Sequence, residues 1–248
     1  MPDTAAPDAD RPATTRQPET TRTPMNPFAR RRDVLAALCA SPLMLATTPL
    51  RAQEAPPRQG IDYTVLANPQ PTDAPGKVEV LDFFWYGCPH CYAFLPDLEE
   101  WRKHKAADVL FKHVPVAFDP SRDPHSKIYY TLAALGEVDA MHVKVFDAFH
   151  QRHVRLTDRD EIADFMASNG IARDKWLATY DSFSIAGQVN RARLQTQAYQ
   201  IDGTPTLAID GRFLTSPSMV QAHTFPATIA VLNYLIDRAR RDHAHKNG

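Results

Sequence analysis

The chain is poor in cysteine, poor in glycine, and carries no excess of charge of either sign. Lys and Arg total 28 against 29 Asp and Glu, for a formal net charge of −1, so nothing marks nucleic acid as a partner. Cysteine occurs only as Cys39, Cys88 and Cys91. A structural zinc site takes four ligands, and the Cys88/Cys91 pair has no second pair to complete it. His104, His113 and His125 could in principle add imidazoles, but they read as plain surface or core histidines, and His142, His150 and His153 as surface residues. A c-type haem attachment needs histidine directly after the second cysteine, where this chain has Tyr92. No internal repeat is visible. What is present is 248 residues with 44% hydrophobic side chains, enough for one domain or for one domain carrying a large insertion.

Residues 1–24 hold almost no large apolar side chain and are expected to be disordered, because they cannot bury enough surface to offset their ordering entropy. Met25, a candidate start, opens a secretory signal pattern. Arg30, Arg31 and Arg32 form a basic region, 34–46 an apolar one, and 47–52 a polar stretch that places cleavage after Ala52. The apolar run falls short of the ~20 residues that span a bilayer. Arg31-Arg32 also suits twin-arginine export, and Sec export remains equally open. Leu38 before Cys39 is too large for a lipoprotein cleavage site. Export implies an oxidising compartment, the periplasm. There the two remaining cysteines would make a poor staple, since stabilisation grows with the loop closed. Reactivity explains them better.

Along 53–248, a polar linker leads to a short edge strand over 62–66. Residues 78–86 are β-branched and aromatic, without Pro or an interior Gly, and predict a central strand. A helix begins near Pro89, a residue tolerated in the first turn, and Pro96 should kink it. A second strand is expected over 109–118, interrupted by Pro115. The interval from there to Thr206 far exceeds the dozen or so residues a parallel crossover needs. It shows apolar residues three and four apart over 128–135, 141–149, 161–167, 176–180 and 185–199, with Asp158 and Ser184 as candidate caps. Then come a short strand, an Asp210-Gly211 turn, a return strand, and a terminal helix over 225–241 whose Arg238, Arg240 and Arg241 read as a solvated end. The expected fold is α/β. A βαβ part (53–120) and a ββα part (201–241) flank an all-helical insertion (121–200), with a polar tail over 242–248.

A thiolate is the attacking species in disulfide exchange, and an ordinary cysteine with a pKa near ~8.5 is little ionised at neutral pH. A sulfur at a helix start meets unpaired N–H groups and the positive end of the macrodipole. Cys88 stands there, and His90 can add a donor or a positive charge. Cys91, one turn in, should be more buried. Cys88 would then form a mixed disulfide that Cys91 resolves.

Cys88-Pro89-His90-Cys91 after an aromatic strand, the helical insertion, Thr204-Pro205 and the Asp210-Gly211-Arg212-Phe213 hairpin resemble the DsbA family of thioredoxin-fold disulfide oxidases over roughly 60–240. The resemblance implies that Pro205 is a cis-proline facing the disulfide, with Thr204 beside an extended substrate. It also implies that Asp82 is the buried acid of thioredoxin-like proteins, able to relay the Cys91 proton, although a polar strand end is the plainer reading. The chemistry it implies is donation of a Cys88–Cys91 disulfide to reduced exported proteins. No cofactor is needed beyond that disulfide, a quinone-linked membrane oxidase of DsbB type regenerates it, and the protein is a monomer. An isomerase or reductase on the same fold, and a non-enzymatic peptide-binding module, are the rival readings. A glutathione-dependent isomerase of the same superfamily would be cytosolic and lack the Cys-x-x-Cys.

Overall fold

The computed structural model describes residues 55–246; the expected leader and its cleavage site lie outside them. Five strands form one sheet: β1 (Thr64–Val65), β2 (Val78–Phe84), β3 (Val109–Pro115), β4 (Thr206–Ile209) and β5 (Phe213–Thr215), in the order β1-β5-β4-β2-β3. β2 and β3 are parallel, and the other pairings are antiparallel. All seven residues of β2 are buried, as expected of a strand covered on both faces.

Side chains alternate along a strand, and β2 sends them to two different cores. Val78 and Val80 pack with Phe94 and Leu98 of α1 (Pro89–His104) and with Leu232, Leu235 and Ile236 of the terminal helix. Leu81 and Phe83 point the other way, toward Ala192, Tyr199 and Ile201. The helix α1 continues through Pro96. β3 ends at Pro115, where the sequence suggested only an interruption.

Five helices fill the interval before β4: α2 (Asp123–Leu135), α3 (Val138–His150), α4 (Arg159–Ser168), α5 (Arg173–Tyr180) and α6 (Phe183–Ala198). Asp158 caps α4 by accepting from the N–H groups of Asp160 and Glu161. The cap of α6 is Ser182, which accepts from the Ile185 N–H, and not Ser184 as the periodicity suggested. The apolar Phe183 hid the boundary because it is the exposed first residue of the helix. Gly136 ends α2 in the left-handed region at φ 74, where glycine carries no Cβ penalty. Phe84, Tyr86 and Leu95 join the core of these helices, with Ile128, Phe146 and Trp176 among its centre.

The turn between β4 and β5 has Asp210 and Gly211 at φ 55 and 65, the conformation its sequence suits. The last helix, α7 (Phe225–Lys246), outruns the expected 225–241. Its basic residues are not simply solvated. Arg240 clasps Asp108 through two nitrogens at 2.6 and 2.7 Å, and Arg238 donates to the Tyr63 hydroxyl at 2.6 Å.

Candidate active site

The antiparallel pairing of β2 with β4 creates the site. The C-terminal end of β2 lies beside the start of β4, with Phe83 opposite Thr206. The segment that leaves β2 carries Cys88, and the segment that enters β4 carries Thr204 and Pro205, so topology brings together residues 116 positions apart. The Thr204–Pro205 peptide bond is cis, and the Cys88 Sγ lies 3.2 Å from the Thr204 carbonyl oxygen, which accepts its proton.

Between β2 and α1 the chain turns tightly, with the Cys88 N–H donating to the Trp85 carbonyl at 2.9 Å. A Cβ on Gly87 would come within 2.3 Å of the Trp85 ring. The Arg122 guanidinium lies over that ring, 4.2 Å from its centroid, and the His125 ring stacks against it.

Cys88 is the N-cap of α1, in extended backbone conformation, and Pro89 takes the first helical turn. The Cys91 N–H donates to the Cys88 Sγ at 3.3 Å. Both thiols are free in this structure, and both residues are buried, Cys88 6% and Cys91 5% exposed. The two hardly differ in exposed surface, but burial is the largest influence on the Cys91 thiol and only the second on Cys88, so Cys91 is the more deeply set, as expected; the two sulfurs also differ in their surroundings. Cys88 receives hydrogen bonds from the Cys91 thiol, from the Thr204 side chain, and from the backbone N–H groups of Cys91 and His90. Together these outweigh burial and lower its pKa to about 5. Burial pushes the Cys91 thiol well up, and the neighbouring Cys88 and Asp82 charges push the same way. His90 is exposed and acts on the Cys88 sulfur through its backbone N–H.

Beneath Cys91 lies a polar floor. Asp82 and His113 face each other across the β2–β3 register, and the His113 Nδ1 is 2.8 Å from the Asp82 Oδ2. Glu99 of α1 approaches the other ring nitrogen at 3.6 Å. Burial disfavours the His113 cation, yet the two carboxylates prevail and its pKa is raised. His142 of α3, expected at the surface, is buried at 4% exposure, with its Nδ1 2.9 Å from the Tyr86 hydroxyl. Burial holds it neutral, its pKa well below the usual value. His150 is also drawn inward: its Nε2 lies 2.8 Å from the Tyr86 carbonyl, and its ring stacks on Tyr92 at 4.7 Å. Periodicity missed these histidines because each is buried by a neighbour remote in sequence. The one legible cue was Asp82 and His113 sitting late in two strands expected to be parallel. Among the described residues no His, Cys, Asp and Glu group is arranged to hold a metal ion.

A hollow of about 350 Å³ runs beside the cysteines' loop partner, lined by Gly203, Thr204, Pro205, Ser216 and Met219. A larger one, about 900 Å³, lies between the 55–62 segment and α7, and neither cysteine lines it.

A family profile described as a DSBA-like thioredoxin domain matches residues 79–225. The thiol:disulfide interchange protein DsbA of Burkholderia cepacia is 40% identical over 210 residues, spanning 84% of this chain and 98% of that protein. The Bordetella parapertussis protein of the same name is 41% identical over 197 residues, 79% and 93% of the two chains. Among solved structures, Pseudomonas aeruginosa DsbA superposes with a TM-score of 0.72 at 38% identity, covering 75% of this chain and 96% of that one. The oxidoreductase DsbA of Xylella fastidiosa gives 0.69 at 31% identity, with 75% and 98% covered.

Proposed function

The chain belongs to the DSBA-like thioredoxin family and is a protein-disulfide oxidoreductase, and on that premise we propose that it donates a Cys88–Cys91 disulfide to reduced client proteins in the periplasm. The observation that carries the reading is the opposite tuning of the two sulfurs: Cys88 held as a thiolate, with a pKa of about 5, beside Cys91 held as a thiol. A client thiolate attacks the Cys88 sulfur, the Cys88–Cys91 bond breaks, and its electron pair leaves on Cys91, which takes up a proton. A second client thiolate then attacks the client sulfur of the mixed disulfide. It closes the client disulfide and expels Cys88 as its preferred anion.

Stabilising that anion stabilises the reduced protein, so the disulfide form becomes the stronger oxidant. Relative to a thiol of pKa 9, a pKa of about 5 favours the reduced state at pH 7 by about 3 kcal/mol. For a two-electron couple this corresponds to a potential higher on the order of 60 mV. This direction favours an oxidase over a reductase on the same fold.

Thr204 and Pro205 flank the sulfur and would seat the client chain as an added strand, Asp82 relays the Cys91 proton, and Pro89 and His90 shape the helix start. A signal peptide cleaved after Ala52 delivers the protein, which works as a monomer with 121–200 as an inserted helical domain. A quinone-linked membrane oxidase of DsbB type re-forms the disulfide. No cofactor is required beyond the cysteine pair. Oxidation of a reduced two-cysteine peptide tests the core of this reading. Cys88→Ser should lose it, and Cys91→Ser, offered the disulfide form of the peptide, should accumulate client mixed disulfides on Cys88, because the Cys88 thiolate opens the peptide disulfide and no Cys91 thiol releases it. Full activity in Cys88→Ser would end it.

A further inference from the structure

The floor beneath Cys91 forms a graded series. Side-chain exposure runs from 4% at Asp82 and 6% at His113 to 16% at Glu99, 29% at Arg102 and 82% at Asp139. Each neighbour is close to the next: Asp82 Oδ2 to His113 Nδ1 at 2.8 Å, His113 Nε2 to Glu99 Oε1 at 3.6 Å, Glu99 to Arg102 at 2.9 Å, and Arg102 to Asp139 at 2.9 Å. The series leads from the buried sulfur toward the solvent end of α1. Two oxygens in it, Asp82 Oδ1 and Glu99 Oε1, are buried without a hydrogen-bond partner. Unpaired buried carboxylate oxygens are costly, and each leaves a lone pair able to accept a proton.

We propose that His113, backed by Glu99, is a positioning residue that carries the Cys91 proton between Asp82 and solvent. The inference rests on the reading of Asp82 as the proton relay of Cys91. When Cys91 leaves as a thiolate, the proton it takes from Asp82 is replaced from His113 Nδ1, and His113 regains one at Nε2 from the Glu99 side. When Cys91 attacks a mixed disulfide, the same proton travels outward. The imidazole suits this because it can receive on one nitrogen while releasing from the other. No electron crosses the series, so it needs no further reactant.

The ring is faced by Asp82 from β2 and Glu99 from α1, by His142 of α3 at 4.5 Å between centroids, and by Tyr129 of α2 at 5.9 Å; Phe84 and Phe111 cover its remaining sides. His142 is held neutral by burial, so the charged groups against His113 are the two carboxylates, with Arg102 beyond Glu99. The two carboxylates raise the His113 pKa against the cost of burial, the direction that a proton-holding ring requires.

The test uses the full chain carrying glutathione on Cys88. Glutathione release by Cys91 is followed in weak buffer across pH 5 to 9, with and without added imidazole. His113→Gln and Glu99→Gln should each slow release by about tenfold or more, the scale of a lost proton-transfer group. Added imidazole should restore the rate, and in the reduced form of each variant the Cys88 titration midpoint should not move. A merely structural His113 would give a loss that imidazole does not repair, and that result, or wild-type release in both variants, overturns the proposal. Glu99→Gln, at a partly exposed position, gives the answer if His113→Gln does not fold. Asp82→Asn separates the two layers. Slow release in Asp82→Asn with wild-type rates in the other two removes the relay and leaves Asp82; wild-type release in Asp82→Asn removes both.

Discussion

The tip of α1 and the floor beneath it treat two cysteines of equal exposure in opposite ways. At the tip, the groups that favour the Cys88 anion are hydrogen-bond donors: the Cys91 thiol first, then the Thr204 side chain and the backbone N–H groups of Cys91 and His90. At the floor, the groups are side chains gathered from four elements: Asp82 of β2, His113 of β3, Glu99 of α1 and His142 of α3. Donors at a helix start favour an anion. A buried cleft containing a carboxylate disfavours one. Three residues of separation thus give one sulfur that holds charge and one that refuses it. An oxidase needs both, because the first makes the reduced state favourable and the second keeps a proton ready for the leaving sulfur.

The largest expected effect breaks the pair outright. Cys88→Ser should lower peptide oxidation by about a thousandfold or more, while Cys91→Ser, given the disulfide form of the peptide, should form the covalent client complex through its Cys88 thiolate and stall there. A non-reducing gel separates the outcomes, and equal accumulation of complex in both variants would erase the distinction between tip and floor.

The second effect is a pH dependence of stability. The folded-state pKa of Cys88 is depressed from 9 to about 5. Its contribution is therefore fully present above pH 9 and is lost as pH falls through about 5. Between those values the reduced protein should gain about 1.4 kcal/mol over the oxidised protein per pH unit. Urea unfolding of the two forms at pH 5, 6, 7 and 8 reads this directly, and parallel stability curves would contradict it.

Smaller changes sharpen the comparison by touching one region alone. Tyr86→Phe strips the hydroxyl from His142 Nδ1 in a site where His142 Nε2 already lacks a partner. It should cost about 1–3 kcal/mol of stability and leave the Cys88 titration in place. Thr204→Val removes the second-largest contribution to the Cys88 anion, after the Cys91 thiol. It should raise the Cys88 midpoint by about one unit or less with little change in stability. If Tyr86→Phe moved the Cys88 midpoint as far as Thr204→Val does, the two regions would not be separable.

The same contrast explains what could be read before the fold was known. The tip was legible because Cys88, Pro89, His90 and Cys91 are contiguous, and the helix start follows from local rules. Thr204-Pro205 was legible as punctuation before a strand, and family resemblance supplied its place beside the sulfur. Of the floor, only Asp82 was legible, through the family resemblance; its partner was not, because that depends on strand register: Asp82 meets His113 only when β2 and β3 pair as they do. Single histidines in helices carry no periodic signal of burial, so His142 and His150 were assigned to the surface. Phe183 misled in the other direction, since an apolar residue at 92% exposure sits where the pattern suggested a loop, one residue past the true cap. Arg240 looked like a solvated charge because its partner Asp108 is 132 positions away.

The central claim is that the α1 tip holds Cys88 as an anion while the floor holds Cys91 as a thiol. Thiolate absorbance near 240 nm, followed during a pH titration of the reduced full chain and of Cys91→Ala, measures it most directly. The reduced protein should gain one thiolate with a midpoint near pH 5 and no second one below pH 9. In Cys91→Ala the midpoint should rise, because the Cys91 thiol gives the largest hydrogen bond to Cys88. A single midpoint near pH 8 to 9 for both thiols would contradict the account.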